Sequence, residues 1–323
     1  MSTLLNVTNL KRTFSVDAGG RFGRRQKINA IEDVSYSVDS HETVALVGES
    51  GCGKSTTGLA TLRLIEPTSG SVVFDGEDFL ALGGEALRGT RASVQIVLQD
   101  PKSQLDPRMK LRHSVAEPLR AHDLGDKREI DDRVRECFEL VGLDPSFGER
   151  FPHQISGGQR QRVSIARAIA TNPKLIVLDE AVSALDISVQ TQVMNLLLDL
   201  QERIGLSYLF ISHSMASVRY LADRVVVMYL GRDVETAPAD EFFNSPAHPY
   251  SQALLSAVPI PRVGEKRERI ILSGDVPSPF NVPSGCVFRT RCPRVQSICS
   301  TEIPERRVIG PSRVVACHFP LIG

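Results

Sequence analysis

The sequence predicts an α/β fold built on a mostly parallel sheet with helices on both faces, and three observations predict it. Apolar runs of three to six residues alternate with stretches of helical spacing through the first 235 residues, as strands buried on both faces do. One such run, Thr43 to Val47, passes straight into Gly48-Glu-Ser-Gly-Cys-Gly-Lys-Ser-Thr56 and then into helical spacing. Another, Lys174 to Leu178, reads as a buried strand and ends in Asp179-Glu180.

In chain order, residues 4–10 and 31–38 alternate apolar and polar, the mark of half-buried strands. Asp17 to Lys27, between them, is rich in Gly and Arg and reads as an exposed loop. Thr57 to Ile65 has helical spacing; Val72 to Phe74 and Val94 to Leu98 are short strands. From about Pro101 to Arg167 the spacing is helical, broken by Pro107, Pro118, Pro145 and Pro152. Val189 to Leu200 is helical, Ser207 to Ile211 a strand, Val218 to Ala222 helical and Val225 to Leu230 a strand. Past Glu235 the chain changes character. Twelve of its 19 prolines follow position 235 and four of its six cysteines follow position 285, which divides the chain into an α/β part, 1–235, and a Pro-rich part, 236–323.

Composition excludes several classes. Lys+Arg and Asp+Glu are both 38 in 323 residues, and this neutrality argues against a protein that wraps nucleic acid. With 41% hydrophobic and 24% charged residues the chain is ordinary globular material. No apolar run approaches the ~18–20 residues that span a bilayer. Met1 to Arg12 lacks the apolar core of an export signal. Six cysteines in so long a chain do not make a secreted disulfide scaffold. A soluble cytosolic protein is expected.

The stretch 48–56 fits G-x-x-x-x-G-K-[ST] in the required strand–loop–helix context. Gly48, Gly51 and Gly53 let the backbone turn so that the N–H groups of Glu49, Ser50, Cys52 and their neighbours face a phosphate. The helix start adds its positive dipole end. Lys54 supplies charge to the β- and γ-phosphates, while Ser55, followed by Thr56, can hold Mg²⁺. Asp179, ending a buried strand, needs compensation that a metal supplies, and Glu180 beside it can activate a water. Ser156-Gly157-Gly158-Gln159 leads into a second helix that Ser156 can cap. One phosphate loop does not obviously need two anion-binding helix ends.

The order of residues 48–56, Gln99, Ser156 to Gln159, 175–180, Ser183-Ala-Leu-Asp186 and Ile211-Ser-His213 resembles that of ATP-binding-cassette (ABC) ATPases. The resemblance implies a P-loop NTPase core with an antiparallel β subdomain and a helical subdomain at about 101–167. It also implies a dimer in which Ser156 to Gln159 of one subunit close over the ATP held by the other. By the same resemblance Gln99 contacts Mg²⁺ and senses a permease, His213 contacts the γ-phosphate, Asp186 lies at the dimer seam, and Phe14 is the candidate for stacking on adenine. Met228-Tyr-Leu-Gly-Arg232, Ser245-Pro-Ala-His-Pro-Tyr250 and Ala253 to Pro259 narrow the likeness to the ATPase subunits of oligopeptide/dipeptide importers, over essentially the whole chain. Ile155, Ala181 and Ser214 depart from the usual Leu, Pro and Asp. The function implied is ATP hydrolysis that energises peptide uptake. The partners implied are a second, paralogous ATPase, two transmembrane permease subunits and an extracytoplasmic binding protein, with the chain on the cytoplasmic face of the inner membrane and no nucleic acid bound. Nickel, opines or glutathione as cargo, and an ABC ATPase of DNA repair or translation, are the alternatives.

Cys286, Cys292, Cys299 and Cys317 fall in the Pro-rich part. A segment with little core gains from a staple, and four thiolates suit a [4Fe–4S] cluster or tetrahedral Zn²⁺; simple free thiols are the third reading. Similar cysteine sets recur in ATPases of the resembled type, some with an iron–sulfur cluster. The histidines at 41, 113, 122, 153, 248 and 318 read as surface or structural.

Overall fold

The computed structural model describes residues 2–17, 25–100, 104–257, 270–272 and 274–322. They form two compact units: residues 1–4, 38–43 and 74–211, and residues 5–37, 44–73 and 212–323.

The first unit holds three parallel strands, Val94–Val97, Leu175–Asp179 and Ser207–Ile211, paired in that order with Val94 opposite Leu175 and Leu175 opposite Ser207. Every residue of the last two is buried, which is why they read as unbroken apolar runs. Helices Leu111–Ala121, Lys127–Leu140 and Gly157–Ile169 occupy the stretch of helical spacing. Pro145 and Pro152 open short 3₁₀ turns at the first helical position, where a missing N–H costs nothing. Pro118 is a correction: it breaks nothing and lies buried inside its helix. The helix forgoes one backbone bond there while Val115 and Leu119 keep its apolar face in the core.

In the second unit, Val44 to Val47 pair in parallel with Arg224 to Val227. Arg224–Tyr229 returns antiparallel through Arg232–Pro238, and the turn between them puts Leu230 (φ 45°) and Gly231 (φ 74°) in the left-handed region, as a tight primed hairpin turn requires. Leu230 therefore ends outside the strand expected to contain it. Thr3–Asp17 lies between Ser69–Phe74 and Arg25–Asp39; Thr3–Asp17 and Arg25–Asp39 both run on past the alternating stretches expected at 4–10 and 31–38. Of the expected loop 17–27, residues 18–24 lie outside the described set, and 25–27 already belong to the strand Arg25–Asp39. The helix after the glycine-rich loop runs Lys54–Thr61, three residues earlier than its apolar spacing begins. The Pro-rich part is less irregular than expected. Strand Arg313–Ala316 adds antiparallel to Arg232–Pro238, with Val315 opposite Glu235, and Arg306–Gly310 adds to that in turn.

Candidate nucleotide site and the C-terminal thiols

The phosphate loop leaves the buried strand Thr43–Val47 at Gly48. Gly48 and Gly53 have φ of 149° and 104°, and a Cβ would strike the Met228 carbonyl at the first and the Ala30 carbonyl at the second. No other residue fits these two positions. Lys54 is 6% exposed. Its Nζ donates to the carbonyl oxygens of Gly48 at 2.8 Å and Glu49 at 3.0 Å, folding the side chain back over the loop that a phosphate would enter. Ser55, next in the helix, is exposed. Cys52 is buried, and burial pushes its thiol up against the opposing pull of the Lys54 charge.

Two further expected residues lie in the same unit. Phe14 is half-buried, and the Arg12 guanidinium covers its ring at 4.6 Å from the centroid. His213 is exposed after strand Ser207–Ile211. The departure at Ser214 has a local use: its Oγ accepts from the Ser217 amide and caps helix Met215–Leu221, a task Asp performs equally well.

The first unit carries the rest. Asp179 ends its strand 8% exposed. Glu180 follows in the left-handed region at φ 49°, unusual for a residue with a Cβ and costing ~1–2 kcal/mol. Its amide donates to the Ile211 carbonyl at 2.9 Å, and its carbonyl accepts from the Ser183 hydroxyl at 2.9 Å and the Ser183 amide at 3.0 Å. Backbone strain held in place this way concentrates where a side chain must be aimed. Gln99 is exposed beyond strand Val94–Val97.

Ser156 caps helix Gly157–Ile169 in a reciprocal box: the Gln159 amide donates to Ser156 Oγ at 3.2 Å, and the Ser156 amide donates to Gln159 Oε1 at 3.0 Å. A Cβ on Gly158 would stand 2.5 Å from Val189 Cγ1, so this glycine is set by packing as well as by the open helix end. Asp186, exposed, caps helix Ile187–Ile204 through the Val189 amide at 3.0 Å. That bond and one from the Ser188 hydroxyl hold its carboxyl below the usual range.

The four C-terminal cysteines are free thiols, three buried and Cys292 half-buried. The Cys286 amide donates to the Cys299 carbonyl at 2.9 Å. Burial pushes the Cys317 thiol up to about 11, and Cys286, Cys292 and Cys299 push it the same way. Among the described residues no group of three or more His, Cys, Asp or Glu side chains has the spacing to hold a metal ion. The donor chemistry suits a soft metal or cluster; the side-chain spacing does not.

Sequence reasoning missed Arg291 and Tyr250. Both hold Glu49, the second residue of the phosphate loop. Lying 242 residues from Glu49, Arg291 has no motif of its own, and Tyr250 was visible only as part of a family stretch.

Among known proteins, the chain matches the ABC transporter family over residues 31–183 and the oligopeptide/dipeptide transporter C-terminal region over residues 234–299. It is 48% identical over 320 residues to the oligopeptide transport ATP-binding protein AppF of Bacillus subtilis, spanning 98% of this chain and 97% of that one. A solved ATP-binding cassette, dimeric in a post-hydrolysis state with ADP and phosphate, superposes with a TM-score of 0.64 at 28% identity, covering 73% of this chain and 99% of that one. The cbiO1 protein of Clostridium perfringens, part of the cbiONQ transporter complex, gives 0.64 at 26%, covering 76% and 92%.

Proposed function

This chain belongs to the ABC transporter ATPases, and from that premise we propose that it is the ATP-hydrolysing subunit of an importer of oligopeptides or dipeptides. The observation that carries the reading is the near end-to-end likeness to a peptide-transport ATPase, with the peptide-transporter C-terminal region included. A cassette fold alone would support ATP hydrolysis without a cargo.

In this reading the backbone amides of residues 48–56 and Lys54 hold the nucleotide phosphates, and Ser55, Gln99 and Asp179 hold Mg²⁺. Glu180 orients and deprotonates the attacking water, His213 contacts the γ-phosphate, and Phe14 stacks on adenine. Ser156 to Gln159 close over the nucleotide of a second ATPase, with Asp186 at the seam. Chemistry of this kind is mostly positioning and charge neutralisation. No described helix is long and apolar enough to cross a membrane. The likeness to peptide-transport ATPases supports permease subunits as the transport path, with this chain docked on them at the cytoplasmic face. An extracytoplasmic binding protein delivers the peptide, and a paralogous ATPase is the proposed partner. Residues 1–235 are the ATPase domain, with its helical subdomain at about 101–167, and 236–323 the accessory extension. For the thiols, only the donor type of Cys286, Cys292, Cys299 and Cys317 supports a [4Fe–4S] cluster; their spacing does not. Iron analysis and visible absorbance of anaerobically purified protein test it, and iron-free protein dismisses it.

The deciding experiment pairs Glu180→Gln with transport. The variant should bind ATP with wild-type affinity, hydrolyse it at least ~100-fold more slowly, and abolish peptide uptake into vesicles holding the assembled transporter. Wild-type turnover in the variant would refute Glu180 as the base. Normal hydrolysis with uptake of another solute, and none of peptide, would refute the cargo.

A further inference from the structure

The phosphate loop is anchored by the C-terminal part of its own unit. Glu49 is gripped twice. Its carboxylate accepts from Arg291 through Nη1 to Oε2 at 2.7 Å and Nη2 to Oε1 at 3.1 Å, the fork geometry that only Arg makes. Its amide donates to Tyr250 Oη at 2.8 Å. On its other side the Glu49 carbonyl accepts from Lys54 Nζ. Guanidinium, carboxylate, loop backbone and phosphate-binding ammonium thus form one continuous chain of bonds.

The anchor is itself rigid. Arg291 is 8% exposed at the side chain, against 27% for Glu49, so this is not a solvated surface pair of small consequence. The Arg291 amide donates to the Phe288 carbonyl at 3.0 Å. Phe288, Tyr229 and Tyr250 pack with ring centroids 4.7 to 5.3 Å apart, all almost fully buried. Such a cluster has no room to let the guanidinium drift.

We propose that Arg291 is a positioning residue for nucleotide binding, acting through Glu49. It does two things. It fixes the backbone at residues 48–50 so that the loop amides are pre-aimed at phosphate, and it neutralises a carboxylate whose charge would otherwise oppose the nucleotide's own. Loop amides hold the phosphates before and during the reaction alike, so the contribution falls on affinity and not on turnover. The inference rests on the ATP-binding reading above; a wild-type chain that bound no Mg·ATP would sink that reading first.

The test measures Mg·ATP affinity of the full-length chain by calorimetry, and KM and kcat for ATP in the assembled transporter. Arg291→Met keeps the stem and removes the fork; Kd and KM should each rise about tenfold while kcat stays within about twofold. Arg291→Lys keeps the charge without the fork and should recover part of that loss. In a Glu49→Gln background, Arg291→Met should add less than about twofold, because the charge-assisted fork between the two is already broken. Should Arg291→Met melt below the assay temperature, Arg291→Lys carries the same KM-against-kcat reading. A KM within about twofold of wild type for the tested variant, a loss confined to kcat, or fully additive effects of Arg291→Met and Glu49→Gln would each overturn the proposal.

Discussion

His248 shows what a single side chain loses by leaving water. It is 1% exposed, and its Nδ1 accepts from the Tyr250 amide at 3.0 Å, capping helix Pro249–Ser256 in the neutral form. Burial pushes its pKa down to about 3, from ~6.5 in the unfolded chain. The unfolded chain therefore takes up the proton first as pH falls. Stability is full above about pH 6.5 and declines toward pH 3, by up to ~1.4 kcal/mol per pH unit. Denaturant midpoints at pH 7.5, 6 and 5 should show this decline in wild type and a flatter profile in His248→Asn, which keeps a cap and cannot titrate in that range. Parallel profiles would remove His248 as the source. Glu180 is the other residue whose backbone says more than its name. Its type and place after an apolar strand were legible as chemistry, whereas its left-handed φ depends on the Ile211 and Ser183 bonds and left no trace in the sequence.

The helix that begins at Gly157 shows how one element start serves capping and packing together. Ser156 and Gln159 close a capping box that was readable from residue types three apart. The two glycines read only as an open helix end, but Gly158 also lets Val189 of the next helix approach. Val is stiff at χ1 in a helix and cannot easily swing away. Gly158→Ala should therefore lower stability by about 1–3 kcal/mol, and adding Val189→Ala should return part of it. Thermal melts of the two variants decide this; no rescue by the second change would place the cost in the backbone. Strand and helix ends were legible to within a few residues where apolar periodicity carried them. They slipped where a strand runs on past its apolar alternation, as at 25–30, or where Pro118 is held inside a helix by the packing around it.

At the scale of the whole molecule, each unit carries part of the proposed machinery, and the second is closed by the last stretch of the chain. Strand Arg313–Ala316 brings Arg313 to Glu235, at 6% and 0% side-chain exposure. Glu235 also accepts from the amides of Ala247 and His248 at 2.8 Å each. Arg313 keeps Glu241 and the Ser245 carbonyl when Glu235 is removed, but the buried Ala247 and His248 amides lose their acceptor, so Glu235→Ala should cost about 2–4 kcal/mol. Urea denaturation would show it as a lower midpoint, and a loss below about 1 kcal/mol would mean the pair does not stitch the tail to the sheet. The sequence by itself determined the family, the glycine-rich loop proposed to bind phosphate and the α/β class. These rest on contiguous features, namely glycines that permit a turn, a helix start behind a lysine and apolar runs of fixed period. Only the tertiary structure decided that Glu49 is held by Arg291 and Tyr250 and that Glu235 meets Arg313. Such pairings join residues tens to hundreds of positions apart, and no local pattern records a contact that exists only once the chain has folded.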